Sequence, residues 1–225
     1  MSKQDQPRAA GPEAAIAAWK KLLRTLAGLA IVLLAACGGK LPETRFYLLA
    51  APAANPAPAT SPGDLAIALE PFDTDPGYDD DRIVFRSTAY RMDYYQYHRW
   101  SAPPGAMIGN YLEQALENSG KFRSVARELS ADAPAVLGGR VIAIEEIDAS
   151  KTSWRGRIVI ELTLSDARTG LVLWTEQYDE SEPLTAQTPE GLARALSAAM
   201  ARIVTRAAPI VAEIADRQTK LRAAN

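Results

Sequence analysis

This chain of 225 residues has one cysteine and one histidine, and that scarcity removes most of the common catalytic chemistries. With Cys37 as the sole thiol no disulfide can close within the chain, and zinc sets built on His and Cys cannot be filled. His98 is the sole imidazole, and no G-x-S-x-G elbow accompanies it. Glycine-rich phosphate loops are missing, since Gly38-Gly39 and Gly138-Gly139 are isolated pairs. A basic excess is missing too: the formal net charge is −2, which argues against nucleic acid as a partner. Adjacent carboxylates do occur, as Glu145-Glu146, but neighbours on a strand point to opposite faces. Asp79-Asp80-Asp81 lacks the ligand spacing of a calcium loop and reads as a solvated turn.

What is present begins with Leu26 to Cys37, LAGLAIVLLAAC, preceded by Lys20, Lys21 and Arg24. A basic flank, a short apolar run and small residues at its end describe a secretory leader. The run falls well short of the ~20 residues a spanning helix needs. Leu34-Ala35-Ala36-Cys37 resembles the bacterial lipobox, in which the thiol is the nucleophile that takes a diacylglyceryl group before cleavage ahead of it. Residues 1–36 are therefore expected to be a lipoprotein signal peptide, with Cys37 the lipidation site. Gly38 follows where an aspartate often retains lipoproteins at the inner membrane, which favours the outer membrane. The leader holds five of the 25 basic and two of the 27 acidic residues, so the remaining 189 residues carry 20 against 25. That acidic balance leaves the acyl chains, at about 0.8 kcal/mol per buried CH₂, to hold the protein to its membrane.

Residues 37–44 form a short tether, and a single domain is expected over 45–216 with a polar, frayed tail at 217–225. Arg45 to Leu49 reads as a strand, residues 50–63 as an Ala/Pro loop, and Leu65 to Phe72 as a strand ending near Pro71. Arg82 to Arg86 and Ala89 to Tyr97 are further strands. Gly105 to Ser119 is a helix, with Ile108, Tyr111, Leu112, Ala115 and Leu116 on one face and Gly120 as a left-handed cap. Phe122 to Ala126 adds a strand. Val136 to Ile147, Gly156 to Leu164 and Leu171 to Tyr178 then form an antiparallel meander, with Gly138-Gly139 marking a bulge or a close approach. Thr188-Pro189-Glu190 starts a closing helix that Pro209 kinks or ends. The fold class is α/β in the broad sense, α+β with a mixed, largely antiparallel sheet packed by two main helices.

Tyr90 to Pro104, YRMDYYQYHRWSAPP, is the distinctive stretch. Tyr, Trp and Arg are the types that dominate interface hot spots. Arg86, Tyr94, Tyr95, Tyr97, His98, Arg99 and Trp100 are therefore the candidate partner-facing residues, with core or edge packing as the competing reading for each.

In these residues the chain resembles the ABC-type transport auxiliary lipoprotein family, the PqiC-like lipoproteins associated with MCE transport systems. The likeness is carried by Arg45-Phe46-Tyr47-Leu48 after the lipobox, Asp81 to Arg86, and the tyrosines leading into His98-Arg99-Trp100. Pro103, Leu112, Leu116, Phe122, Val125, Asp166, Gly170 and Trp174 follow in the same order. The resemblance implies a fold like the TolB N-terminal domain and no enzymatic activity. It also implies a partner, the MCE-domain protein of an ABC lipid transporter, met at the periplasmic face of the outer membrane. No cofactor is implied beyond the N-acyl diacylglyceryl lipid on Cys37, and self-association into a homo-oligomer stays open. A lipid-binding carrier and an envelope assembly or scaffolding lipoprotein are the alternatives.

Overall fold

The structure is a computed structural model that describes residues 19–25, 42–52, 64–127 and 133–224. The lipobox, Cys37 and most of the Ala/Pro loop lie outside the described residues. Two units are separated between Glu43 and Thr44. In the first, residues 19–25 are helical. The second contains nine strands and two helices. In chain order they are β1 (Arg45–Tyr47), β2 (Leu65–Leu69), β3 (Asp73–Thr74), β4 (Arg82–Thr88), β5 (Arg91–Trp100) and α1 (Pro104–Asn118). Then follow β6 (Phe122–Ala126), β7 (Ala135–Ser150), β8 (Ser153–Asp166), β9 (Val172–Pro183) and α2 (Pro189–Ala223).

The sheet is assembled around β7, whose 16 residues are almost all apolar or small up to Glu145. One edge of β7 pairs antiparallel with β8 over its whole length, from Ala135 opposite Asp166 to Ser150 opposite Ser153. The other edge is shared by three parallel partners. Val136 and Leu137 take β2, Arg140 and Val141 take β3, and Glu145 to Ile147 take β4. Beyond these, β5 and β1 extend the sheet from β4, β6 extends it from β2, and β9 closes the far edge. The expected meander is present, and the two longest ladders are antiparallel. The parallel strands on the other edge were not legible as such. Pro71 divides the expected 65–72 strand, and the chain re-enters the sheet as the two-residue β3.

Both helices cover one face. Ile158, Ile160, Leu162 and Leu164 alternate along β8 and are fully buried, each worth about 1.5–3 kcal/mol of burial. Gly156 continues that row, and a Cβ there would meet Leu196 and Leu192 of α2 at 3.1–3.2 Å. The expected apolar face of α1 is buried, and Tyr111 Oη donates to the Ser197 carbonyl of α2 at 3.0 Å. Gly139 marks the close approach: a Cβ would lie 2.0 Å from the Glu161 carbonyl oxygen, while the register break falls later, between Val141 and Ala143.

Thr188 caps α2 by accepting from Gly191 N–H at 3.1 Å, with Pro189 in the first turn. The helix is long and apolar enough to cross a membrane by composition, but half of that window is buried inside the protein, as in a core helix. Pro209 does not end it. Val211 and Ala215, on its sheet-facing side, are buried, and the tail expected to fray is helical to Ala223. Arg222 donates to the Pro134 carbonyl at 2.9 Å, the Ala133 carbonyl at 3.2 Å and Asp166 at 3.2 Å. Tertiary contacts therefore override the local polarity of that segment.

Candidate functional site

The aromatic stretch occupies β5, which lies between the edge strand β1 and β4. On the helix-covered side, Tyr47 Oη and His98 Nδ1 are 2.8 Å apart. The Tyr95 ring stands edge-on to Phe85 and His98, with centroids 5.2 and 5.6 Å away. Its hydroxyl donates to Glu146 Oε1 at 2.7 Å. Glu146 lies opposite Gly156 beneath α2 and is fully buried. Burial pushes its carboxyl up to about 7; the Tyr95 hydrogen bond opposes this and the neighbouring Asp148 carboxylate adds to it. Burial, reinforced by the bond to Glu146, also holds the Tyr95 phenol above its usual range.

The other face has a different chemistry. Glu145, paired across the strands with Arg157, is fully buried as well. Tyr78 Oη donates to its Oε2 at 2.6 Å, and Arg86 and Arg157 donate to Oε1 at 2.7 and 3.1 Å. Arg157 also clamps Asp179 through two bonds of 2.9 and 2.7 Å. Near the start of β4, the Arg82 guanidinium sits 4.1 Å over the Tyr94 ring, and Tyr94 Oη donates to the Gly77 carbonyl at 3.3 Å. The acidic turn is taken up by arginines. Asp80 accepts from Arg82 at 2.9 Å, which holds its carboxyl near 2, and Asp81 accepts from Arg99.

The candidate partner-facing residues thus separate. Trp100 is 1% exposed and belongs to the core. Arg86 is committed to Glu145, and Arg99 to Asp81. Tyr95, Tyr97 and His98 are half-buried, and Tyr94 is the most open of the set at 37%. In the second unit, two exposed aromatics outside the set are Phe46, 62% exposed on β1, and Tyr90, 99% exposed in the β4–β5 turn. Tyr90 opens the aromatic stretch, and the expected strand over Ala89 to Tyr97 includes it; it lies instead in the turn between β4 and β5, which makes it an apex. His98 is partnered by a phenol, and among the described residues no group of three His, Cys, Asp or Glu side chains could hold a metal ion. A groove of about 310 Å³ lies between α1 and α2, lined by Ala115, Ala201, Val204, Ala208 and Pro209 and bordered by Lys121.

These features define a two-layer α+β domain whose titratable groups are tied to one another inside the sheet. Their bonds brace the fold. The chain belongs to the ABC-type transport auxiliary lipoprotein family, whose model, for the lipoprotein component of such transporters, matches residues 47–208. Among solved structures it is similar to protein XCC0632 from Xanthomonas campestris, at 20% identity with a TM-score of 0.65. That match covers 79% of this chain and 99% of the other. An uncharacterised protein is similar at 13% identity and a TM-score of 0.62, covering 76% and 99%. The PelC dodecamer from Paraburkholderia phytofirmans follows at 16% identity and a TM-score of 0.42, covering 65% and 90%. No curated protein matches.

Proposed function

We propose that this protein is a non-catalytic auxiliary lipoprotein of an MCE-type ABC lipid transport system, anchored through Cys37 to the periplasmic face of the outer membrane. There it receives the MCE protein that bridges the periplasm. The family match over residues 47–208 carries this reading. The receiving surface is the open face of β4 and β5, where Arg82 stacks on Tyr94 and fixes an aromatic ring in a partly exposed position. A rigid ring beside a cation loses little entropy on contact, which suits a docking anchor.

The test is capture of the MCE partner by the acylated protein from detergent extract, compared with Tyr94→Ala and Arg82→Ala variants. Both variants should fold and lose capture by at least about tenfold. Wild-type capture no better than an unrelated lipoprotein would end this reading.

The groove between α1 and α2 favours a second reading, a carrier that itself shelters an acyl chain. It requires phospholipid to co-purify with the protein in stoichiometric amount, which docking alone does not.

A further inference from the structure

The register of the sheet fixes which end of the domain β1 starts from. β1 runs parallel to β5 with Arg45 opposite His98, so tracing β1 backwards leads toward Arg91 and the β4–β5 turn. From His98 to Arg91 is seven residues of strand, about 23 Å. Between Cys37 and Arg45 lie seven residues, 38–44, whose extended reach is about 24 Å. The start of β1 thus points toward the β4–β5 apex, and that reach is long enough for an acylated Cys37 to anchor the domain by this end.

The β7–β8 apex stands at the same level. Arg86 is opposite Ile147 in the parallel β4–β7 pair, so Ala89 and Tyr90 lie level with Ser150 and Lys151. Gln187, in the loop before α2, donates to the Lys151 carbonyl at 2.9 Å and ties that loop to the same end. At the two tips stand Tyr90, 99% exposed, the Arg91 side chain, 71% exposed, and the exposed Lys151. The acids nearby are engaged or set back: Asp93 is bound to Arg91 at 2.7 Å, Glu190 to Arg194 at 3.2 Å, and Asp148 is half-buried beside Glu146. A ring with an apolar body and a polar tip, next to an arginine and level with a lysine on the neighbouring tip, matches the headgroup layer of a phospholipid bilayer.

We infer that the end bearing Tyr90, Arg91 and Lys151 lies against the phospholipid headgroups, standing the sheet upright on the membrane. This rests on the reading that Cys37 is acylated. The three side chains fix the orientation that the acyl chains alone leave free. The opposite end, with the β8–β9 turn, then projects away by the length of β8, fourteen residues or about 45 Å.

The test uses the acylated protein, processed at Cys37, reconstituted in phosphatidylethanolamine–phosphatidylglycerol vesicles. Thioether-linked Cys37 does not react with maleimide, so one added cysteine takes a bimane label. Ala89→Cys reports the proposed membrane end and Arg168→Cys the far end, with Thr152→Cys as a second apex probe should Ala89→Cys fail to fold. Headgroup spin-labelled lipid should quench the apex label at least about threefold more than the Arg168→Cys label. Adding Tyr90→Ser, Arg91→Ser and Lys151→Ser should abolish the difference while the protein still floats with the vesicles. Equal quenching at both ends in floating protein overturns the orientation. An excess that survives the triple substitution overturns the role given to the three side chains. Protein that fails to float overturns the anchoring reading, and this one with it.

Discussion

Glu145 and Glu146 are consecutive in β7 and both are shut off from water, yet they sit on opposite faces of the sheet in opposite electrostatic surroundings. Glu145 meets two guanidinium groups and a phenol. Glu146 meets a phenol and a second carboxylate, and among the described residues neither Glu146 nor Asp148 forms an ion pair. One strand thus holds a carboxylate paired with two arginines beside one that favours its proton.

For Glu145 the expectation is a large loss of stability on truncation. Glu145→Ala leaves Arg86 and Arg157 facing each other across a buried site, and removing one partner of a buried pair costs about 3–5 kcal/mol. Glu145→Gln keeps an acceptor for Tyr78 and should cost less. Urea unfolding at pH 7 distinguishes the two; equal, small losses would show that the arginines find water instead.

For Glu146 the sign is reversed. Its folded-state carboxyl lies near 7 against about 4.3 unfolded, so the native state holds the extra proton between those values. Stability is then greatest below about pH 4.5 as far as this group is concerned, and falls as pH rises toward 7. Glu146→Gln keeps the Tyr95 bond and donates to Asp148, so it should stabilise by about 1–3 kcal/mol at pH 8 and by little at pH 4.5. Thermal melts across that range give the answer, and a pH-independent difference would contradict it.

The end of α2 is a third place to test. Asp166 accepts from the Thr169 N–H and hydroxyl, from Arg222 and from the Arg168 N–H, and its carboxyl is held near 2, so this contribution is present above about pH 4 and lost toward pH 2. Truncation after Asp216 removes Arg222 and should cost about 1–2 kcal/mol, a melting shift of roughly 2–4 °C. An unchanged melting temperature would mean the segment contributes nothing.

Trp100 and Tyr94 make a paired test within one strand. Trp100→Ala opens a core cavity and should cost about 3–5 kcal/mol, with loss of soluble protein. Tyr94→Ala should leave circular dichroism and melting within about 1 kcal/mol of wild type and act on partner capture alone. Should both unfold the protein, β5 carries no separable docking residue.

Much of this was readable from the chain. The two helices, their apolar faces, the Thr188 cap and the long antiparallel ladders follow from periods of 3.6 and 2 and from turn residues, all of which act locally. Local rules also place Glu145 and Glu146 on opposite faces. Tertiary structure alone decided which three segments share one edge of β7 in parallel, because parallel pairing joins strands distant in sequence and leaves no turn signature. It decided that Trp100 is core while Tyr94 is not, since a bulged strand breaks the alternation that would have told them apart. It decided too that a polar tail is helix, because Arg222 finds its acceptors on a turn more than fifty residues back in the chain. Composition sets what each segment can bury; only the assembled sheet sets what it meets.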